Sequence, residues 1–313
     1  MLERFEEELG QAIDLRWPGY LFLLTNEQDV AKFEHNVALQ QQLGVPTEWL
    51  SGDEVRARVP LLNAADVIAG TFHAGDGLAD PNGVVMGYVN GAKRLDVQAF
   101  TDVTVTDIET TGAGVGGVQT SAGAIDCEII VNATGPWAAP ISEMAGVPLP
   151  VIPVRRQILT TTPLPEVPDD FPFIIDFAQS LYFHREGEGI LTGQSNPHEA
   201  PGFDESVDQA WEYAHMECAI ERLPILEQAG RASHWAGLYE VTPDAHPIIG
   251  GVAALDGYYV ITGFSGHGFM HGPIAGLLLS EIILDGQATT LDISMLDYAR
   301  FAEARLIEEY NVI

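Results

Sequence analysis

Residues 263–273 read GFSGHGFMHGP, set between two apolar runs, GYYVIT (257–262) and IAGLLLSEIIL (274–284). Gly263, Gly266 and Gly268 fall within six positions. Glycine has no Cβ to hold a neighbour off, so the turn is expected to let its backbone approach something closely. The spacing predicts a strand before the turn and a helix starting near Pro273, because proline is favoured in the first helical turn. A helix start there directs unpaired N–H groups and the positive end of the helix dipole into the same space. The stretch is therefore expected to receive an electron-rich group.

Three readings of that group fail on the residues. Ser265 between strand and helix resembles a nucleophile elbow, but the pattern needs glycine two residues on, where His267 stands. No later Asp-then-His pair completes a triad either. His267 and His271 are four apart, as metal ligands on one helical face would be, yet no carboxylate lies in the loop and no HExxH occurs; no metal is expected. A phosphate-transfer loop would carry a lysine beside its glycines, and none is present. What remains is a dinucleotide cofactor whose ring rests on the turn. A second segment, CEIIVNATGPWAAPISEMAG (127–146), repeats the design: an apolar strand, the small residues Ala133-Thr134-Gly135, then Pro136-Trp137 opening a helix.

The chain has 313 residues, enough for two domains, with hydrophobic content of 46%, as in globular proteins. Its charge is unusual: 45 Asp and Glu against 14 Lys and Arg, net −31, with Lys32 and Lys93 the only lysines. Such a surface suits concentrated salt, where screening shrinks the Debye length to about 3 Å, so a halophilic protein is expected. Nothing resembles a basic stripe for nucleic acid. Cys127 and Cys218 sit in unrelated contexts, which fits a reducing compartment. No apolar run is long enough to span a membrane and the acidic start, MLERFEEELG, is unlike a signal peptide; a cytoplasmic protein is expected.

Periodicity predicts helices over 1–10, 27–44, 51–60, 80–96 and 207–223, a strand pair over 14–25 and a strand over 66–74. β structure is expected over 97–132 and 151–162, an antiparallel meander over 173–194, and a helical pair after the glycine turn. Strand–helix alternation near 80–150 and 246–285, with a meander between, implies two domains built from non-contiguous segments.

Four motifs in this order resemble the flavin-dependent amine oxidoreductases of the D-amino-acid oxidase superfamily, the sarcosine oxidase, glycine oxidase and proline dehydrogenase β-subunit relatives above all. They are DGLADPNGVV (76–85), IIVNATGPWAAPISEMAGVPLPVIPVRRQ (129–157), GLYEVTPDAHPIIG (237–250) and GYYVITGFSGHGFMHGP (257–273). The resemblance implies an α/β fold, with an incomplete FAD-binding Rossmann-like domain (76–150 and 236–313) and an inserted antiparallel-sheet substrate domain (11–75 and 151–235). It implies that Val103 is the strand residue whose backbone meets the adenine, and that Ala133, Thr134, Gly135 and Trp137 lie beside the dinucleotide. Gly263, Phe264, Ser265, Gly266, His267, Gly268, Phe269 and Met270 would form the loop over the flavin ring. Tyr182 would face that ring from the substrate domain, with His267 and Met270 also at the reacting centre.

Three departures qualify the resemblance. The family begins with a βαβ unit carrying GxGxxG, and this chain opens at a helix downstream of it. Either the start codon is misplaced, the gene is truncated, or the N-terminal portion is a separate chain; the expected protein partners are such an N-terminal chain or an oligomer. Met270 stands where sarcosine and glycine oxidases tend to have Lys or Arg, which turns the expectation from oxidase toward dehydrogenase, or toward a different substrate, with the electron acceptor, oxygen or a carrier, left open. Gly237 stands where some relatives link flavin covalently through cysteine, so FAD is expected to be held non-covalently. The expected activity is oxidation of the C–N bond of a small amino acid or N-methyl amino acid. The alternatives are a non-catalytic remnant and a flavin-dependent 2-hydroxy-acid dehydrogenase.

Overall fold

The computed structural model describes residues 1–112 and 114–309. Residues 310–313, the end of the segment expected over 236–313, lie outside the described residues. The first part of the chain forms α1 (Phe5–Leu9), β1 (Tyr20–Leu24), α2 (Glu27–Gln42), β2 (Glu48–Ser51), α3 (Gly52–Arg58), β3 (Ala69–His73) and α4 (Pro81–Arg94). Next come β4 (Val105–Thr111), β5 (Gly114–Thr120), β6 (Gly123–Asp126), β7 (Ile130–Asn132) and α5 (Ala138–Met144). The rest is β8 (Ile152–Thr161), β9 (Phe173–Asp176), β10 (Leu181–Glu186), β11 (Gly189–Gln194), α6 (Gln209–Arg222), β12 (Arg231–Val241), β13 (Ile248–Gly251), β14 (Tyr258–Thr262) and α7 (Gly268–Asp285).

Helix starts follow local chemistry. The Asn26 side chain caps α2, Ser51 and Glu54 form a reciprocal capping box on α3, and Asp80 caps α4 with Pro81 at its first position. Asp208 caps α6 in the same way. These side chains accept from N–H groups that the helix itself leaves unpaired.

Three sheets result. A large one has the order β12-β8-β11-β10-β9-β1-β3-β2 and is antiparallel except where β1 runs parallel to β9. A small one has the order β13-β14-β7, with β14 and β7 parallel, and β4-β5-β6 form a meander beside it. On one face of the large sheet Leu21, Leu23, Ile174, Leu181 and Phe183 pack against Val55 of α3 and Ala219 and Leu223 of α6. The small sheet buries Ile248, Tyr258 and Val260 with Ala138 and Val147 on one side, and α7 closes the other through Phe264, Ala275, Leu278 and Leu279.

The mixed α/β class expected from the sequence is the one that forms. β12 crosses residues 235 and 236, where the two expected segments meet, and carries the chain from the large sheet toward the small one.

Four local expectations are corrected. Only β1 forms in 14–25, joined upstream by a single Arg16–Leu78 bridge. Pro18 has no N–H to donate, and Gly19 turns at φ +79° with the Phe72 ring 2.3 Å from where a Cβ would sit. Residues 97–104 form no strand; β4 starts at Val105, so Val103 lies in the preceding loop. α7 starts at Gly268, with Pro273 inside it. Instead of a second helix, α7 is followed by single 3-10 turns at Ser294–Leu296 and Tyr298–Arg300.

Candidate active site

The turns after β7 and β14 leave the carboxyl ends of two adjacent parallel strands, paired Tyr258 to Ile130 and Val260 to Asn132. Ligands of α/β sheets collect at such ends. The first turn is held by Asn132, whose Nδ2 donates to the Ala138 carbonyl at 2.9 Å and to the Tyr258 hydroxyl at 3.0 Å. Its Oδ1 accepts from the Thr134 hydroxyl at 2.7 Å. Thr262, at the end of β14, donates across to the Gly135 carbonyl at 3.2 Å and joins the two turns. Ala133, Thr134 and Trp137 are exposed around this junction.

The second turn is packed against β12 rather than opened by its glycines. A Cβ on Gly263 would lie 2.4 Å from Thr242 Cγ2, and one on Gly266 2.7 Å from the Tyr239 ring. Both residues also have positive φ, +81° and +99°. The missing side chains therefore make room for protein, which corrects the simple expectation that they clear space for a ligand. Ser265, also at positive φ (+51°), is 3% exposed. Its N–H donates to the Glu240 carbonyl at 3.1 Å, and its Oγ accepts from the Thr242 N–H at 3.3 Å. Pointing inward, it braces the loop.

What the turn does expose is the start of α7: Gly266, Phe269 and Met270 are open to solvent, while Phe264 is core. Alone among the described helices of fourteen residues or more, α7 has no side-chain cap; like α4, it also has no acidic residue in its first turn. Unpaired N–H groups and the dipole thus face outward beside Phe269 and Met270. That donor set suits an aromatic, electron-accepting ring, so the residues fit the flavin end of FAD. His267 sits at the helix N-cap, its ring centroid 6.0 Å from that of His271. Burial, then the nearby His267 and His246, holds the His271 imidazole below its ordinary range.

Glu240 lies under both turns. It accepts from the Phe264 N–H at 3.4 Å, and its other oxygen lies 3.3 Å from where a Gly135 Cβ would be. Burial pushes its carboxyl up. Behind it, Arg300 and Asp244 form a buried pair at 2.8 Å that fixes the turn after β12. Burial would raise the Asp244 pKa, but hydrogen bonds from Arg300 and its charge outweigh that and bring it to about 2.

The large sheet turns an aromatic face toward the glycine turn. Register places Tyr20, Phe173, Tyr182, His184, Arg156 and Tyr239 on the face opposite the α6 core. Tyr20 and Phe173 stack at 4.6 Å, and Phe173 lies 5.9 Å from Tyr182. Tyr182 lies over Gly193, where a Cβ would be 2.3 Å from its hydroxyl. Burial raises the Tyr182 phenol well above its ordinary range and pushes the Tyr239 phenol up, so both stay protonated donors.

The structure thus brings 133–137 and 263–270 together and puts Tyr182 on the face that leads to them, through Tyr239. Tyr239, Glu240, Arg156 and Tyr20 are missed by sequence reasoning. Tyr239, Glu240 and Arg156 lie inside quoted motifs, but their roles depend on β12 pairing with β8 across about 80 residues, a contact that local pattern does not encode.

A family model described as FAD dependent oxidoreductase matches residues 1–282. Rat mitochondrial dimethylglycine dehydrogenase is 29% identical over 324 residues, covering 97% of this chain and 37% of its own length. Human mitochondrial sarcosine dehydrogenase is 29% identical over 330 residues, 97% of this chain and 36% of its own. The chain thus spans well under half the length of these two relatives. Among solved structures, L-proline dehydrogenase from P. horikoshii superposes with a TM-score of 0.89 at 31% identity, covering 97% of this chain and 81% of that one.

Proposed function

Because the chain belongs to the FAD-dependent oxidoreductase family matched over residues 1–282, we propose that it oxidises the C–N bond of a small amino acid or N-methyl amino acid. The observation that carries this reading is the meeting of two exposed turns at the carboxyl ends of β7 and β14, beside an uncapped α7 and under an aromatic sheet face. The named substrates of the relatives, dimethylglycine, sarcosine and proline, share an amine next to a carboxylate.

Bound FAD would supply the two-electron acceptor chemistry. Residues 263–270 and 133–137, with Trp137, Phe269 and Met270 as apolar contacts, would hold its ring. The N–H groups opening α7 would stabilise negative charge at that edge. Gly237 carries no nucleophile, so the cofactor is held without a covalent bond. Tyr182, Tyr239 and the stacked Tyr20–Phe173 pair would exclude water from the substrate and orient it. His267, at the N-cap of α7, would support the loop. Met270 brings no positive charge to the ring, which favours a carrier over oxygen as the electron acceptor. The net charge of −31 favours work in concentrated salt, and the reading places the protein in the cytoplasm; among the described residues no helix is long and apolar enough to cross a membrane.

Protein purified in about 1 M salt and supplied with FAD is expected to turn yellow and to release the colour on denaturation. Anaerobic addition of N-methylglycine, N,N-dimethylglycine or proline is expected to bleach it. Bleaching by 2-hydroxyglutarate alone would contradict amine oxidation, and a folded protein that stays colourless would contradict the cofactor assignment.

A further inference from the structure

Arg155 and Arg156 are neighbours on β8 and point to opposite faces of the large sheet. Arg155 meets two carboxylates, Glu199 at 3.0 Å and Asp204 at 3.0 Å. Arg156, on the aromatic face, has none within ion-pairing distance among the described residues. Its single hydrogen bond runs from Nη1 to the Arg155 carbonyl at 3.1 Å. The Nε atoms of both are buried without a partner; what separates the two is the carboxylate.

That absence is unusual in this chain. Acidic residues outnumber basic ones 45 to 14, and ten of the twelve arginines make ion pairs. The other exception, Arg94, lies on α4 and donates to the Leu9 carbonyl. Arg156 is half-buried, and burying a cation without a partner is costly. Its guanidinium lies 5.2 Å from the Tyr239 ring centroid. Tyr239 in turn packs on Gly266 of the glycine turn, and Tyr182 is on the same face. A cation and two phenol donors therefore converge beside the candidate flavin cradle, with no carboxylate of the described residues within ion-pairing distance of the cation.

We propose that Arg156 is the anchor for the substrate's carboxylate, taking it in a charge-assisted pair while the Tyr182 and Tyr239 hydroxyls donate to the same group. This rests on the amino-acid reading above and assigns it a specificity-determining residue. An arginine fork fits a carboxylate in two parallel hydrogen bonds, which a lysine cannot reproduce. An amine without a carboxylate would leave Arg156 buried and unpaired, so the site would reject it.

The test uses the FAD-loaded protein with two probe pairs, N-methylglycine against N-methylglycinamide and proline against prolinamide. Binding is read by calorimetry, and turnover by anaerobic flavin bleaching. The wild type is expected to bind and turn over the acids in preference to the amides. Arg156→Gln is expected to raise Kd and KM for the acids by about 10- to 100-fold, the loss of one hydrogen-bonded charge pair. Its kcat should change far less, and the amides should be almost unaffected. Arg156→Lys, which keeps the charge and the stem, is expected to recover part of the loss and guards against a Gln variant that fails to fold. Equal treatment of acid and amide by the wild type, equal loss for both in the variant, or no binding of either acid would overturn the anchor. Amine oxidation itself stands or falls on bleaching by either member of a pair, so the two failures are distinguishable.

Discussion

The large sheet and the small sheet treat their polar groups in opposite ways. Behind the large sheet, charge is buried and closed on itself. Arg222, 5% exposed, donates to Asp176 at 2.8 Å, to Asp66 at 2.7 Å and to the Asn63 carbonyl at 2.6 Å. His215 meets Thr192 at 3.0 Å, and Glu212 is paired with both Arg231 and His234. At the carboxyl ends of the small sheet the donors are left open. α7 has no cap, and Trp137 and Met270 are exposed, 46% and 54%. A buried polar group without a partner is costly, so closed networks mark where the chain holds itself together. Open donors beside exposed apolar surface mark where it meets something else.

The largest effect expected from this contrast lies in the closed network. Arg222→Ala leaves Asp176 buried and uncompensated, and should lower stability by about 3–5 kcal/mol. Denaturant melting would read this, with FAD uptake per folded molecule unchanged. If the loss falls below about 1 kcal/mol, the network is not the brace described here.

A smaller effect separates the glycines of the turn from those of the helix that follows. Gly263→Ala must hold a side chain at φ +81° with Thr242 Cγ2 2.4 Å away. It should cost about 1–3 kcal/mol and weaken FAD binding as the loop shifts. Gly276, inside α7, has nothing within 4 Å of a Cβ. Gly276→Ala should therefore stabilise by about 0.5–1 kcal/mol, the helix-propensity gain. Thermal melts of the two variants side by side check both signs. Equal shifts would mean that the turn is not held by its packing on β12.

Much of this was legible in the sequence where chemistry is local. The helices expected over 51–60 and 80–96 form as α3 and α4, opened by Ser51 with Glu54 and by Asp80-Pro81, because capping depends on a few neighbouring residues. The two strand-to-helix turns, 133–137 and 263–270, were legible for the same reason, as small residues between apolar runs. The start of α7 was not, since Pro273 looked like a first-turn residue. In fact the first turn needs no N–H bonds, so residues 268–271 wind ahead of it, and the lost donor falls at the sixth helical position. Alternation and the family resemblance both point to a strand at Val103, but residues 97–102 are all exposed and β4 starts only at Val105. Arg156 showed nothing in its own segment, because what marks it is the carboxylate missing from three strands around it.

The central claim is that residues 133–137 and 263–270 form one surface that takes the flavin ring. Amide hydrogen exchange with and without FAD tests it most directly, since it reports each segment separately. The account predicts slowed exchange in both turns and at the first N–H groups of α7, with the buried amides of β10 and β11 unchanged. Uptake of FAD that leaves 263–270 exchanging as fast as before would contradict it.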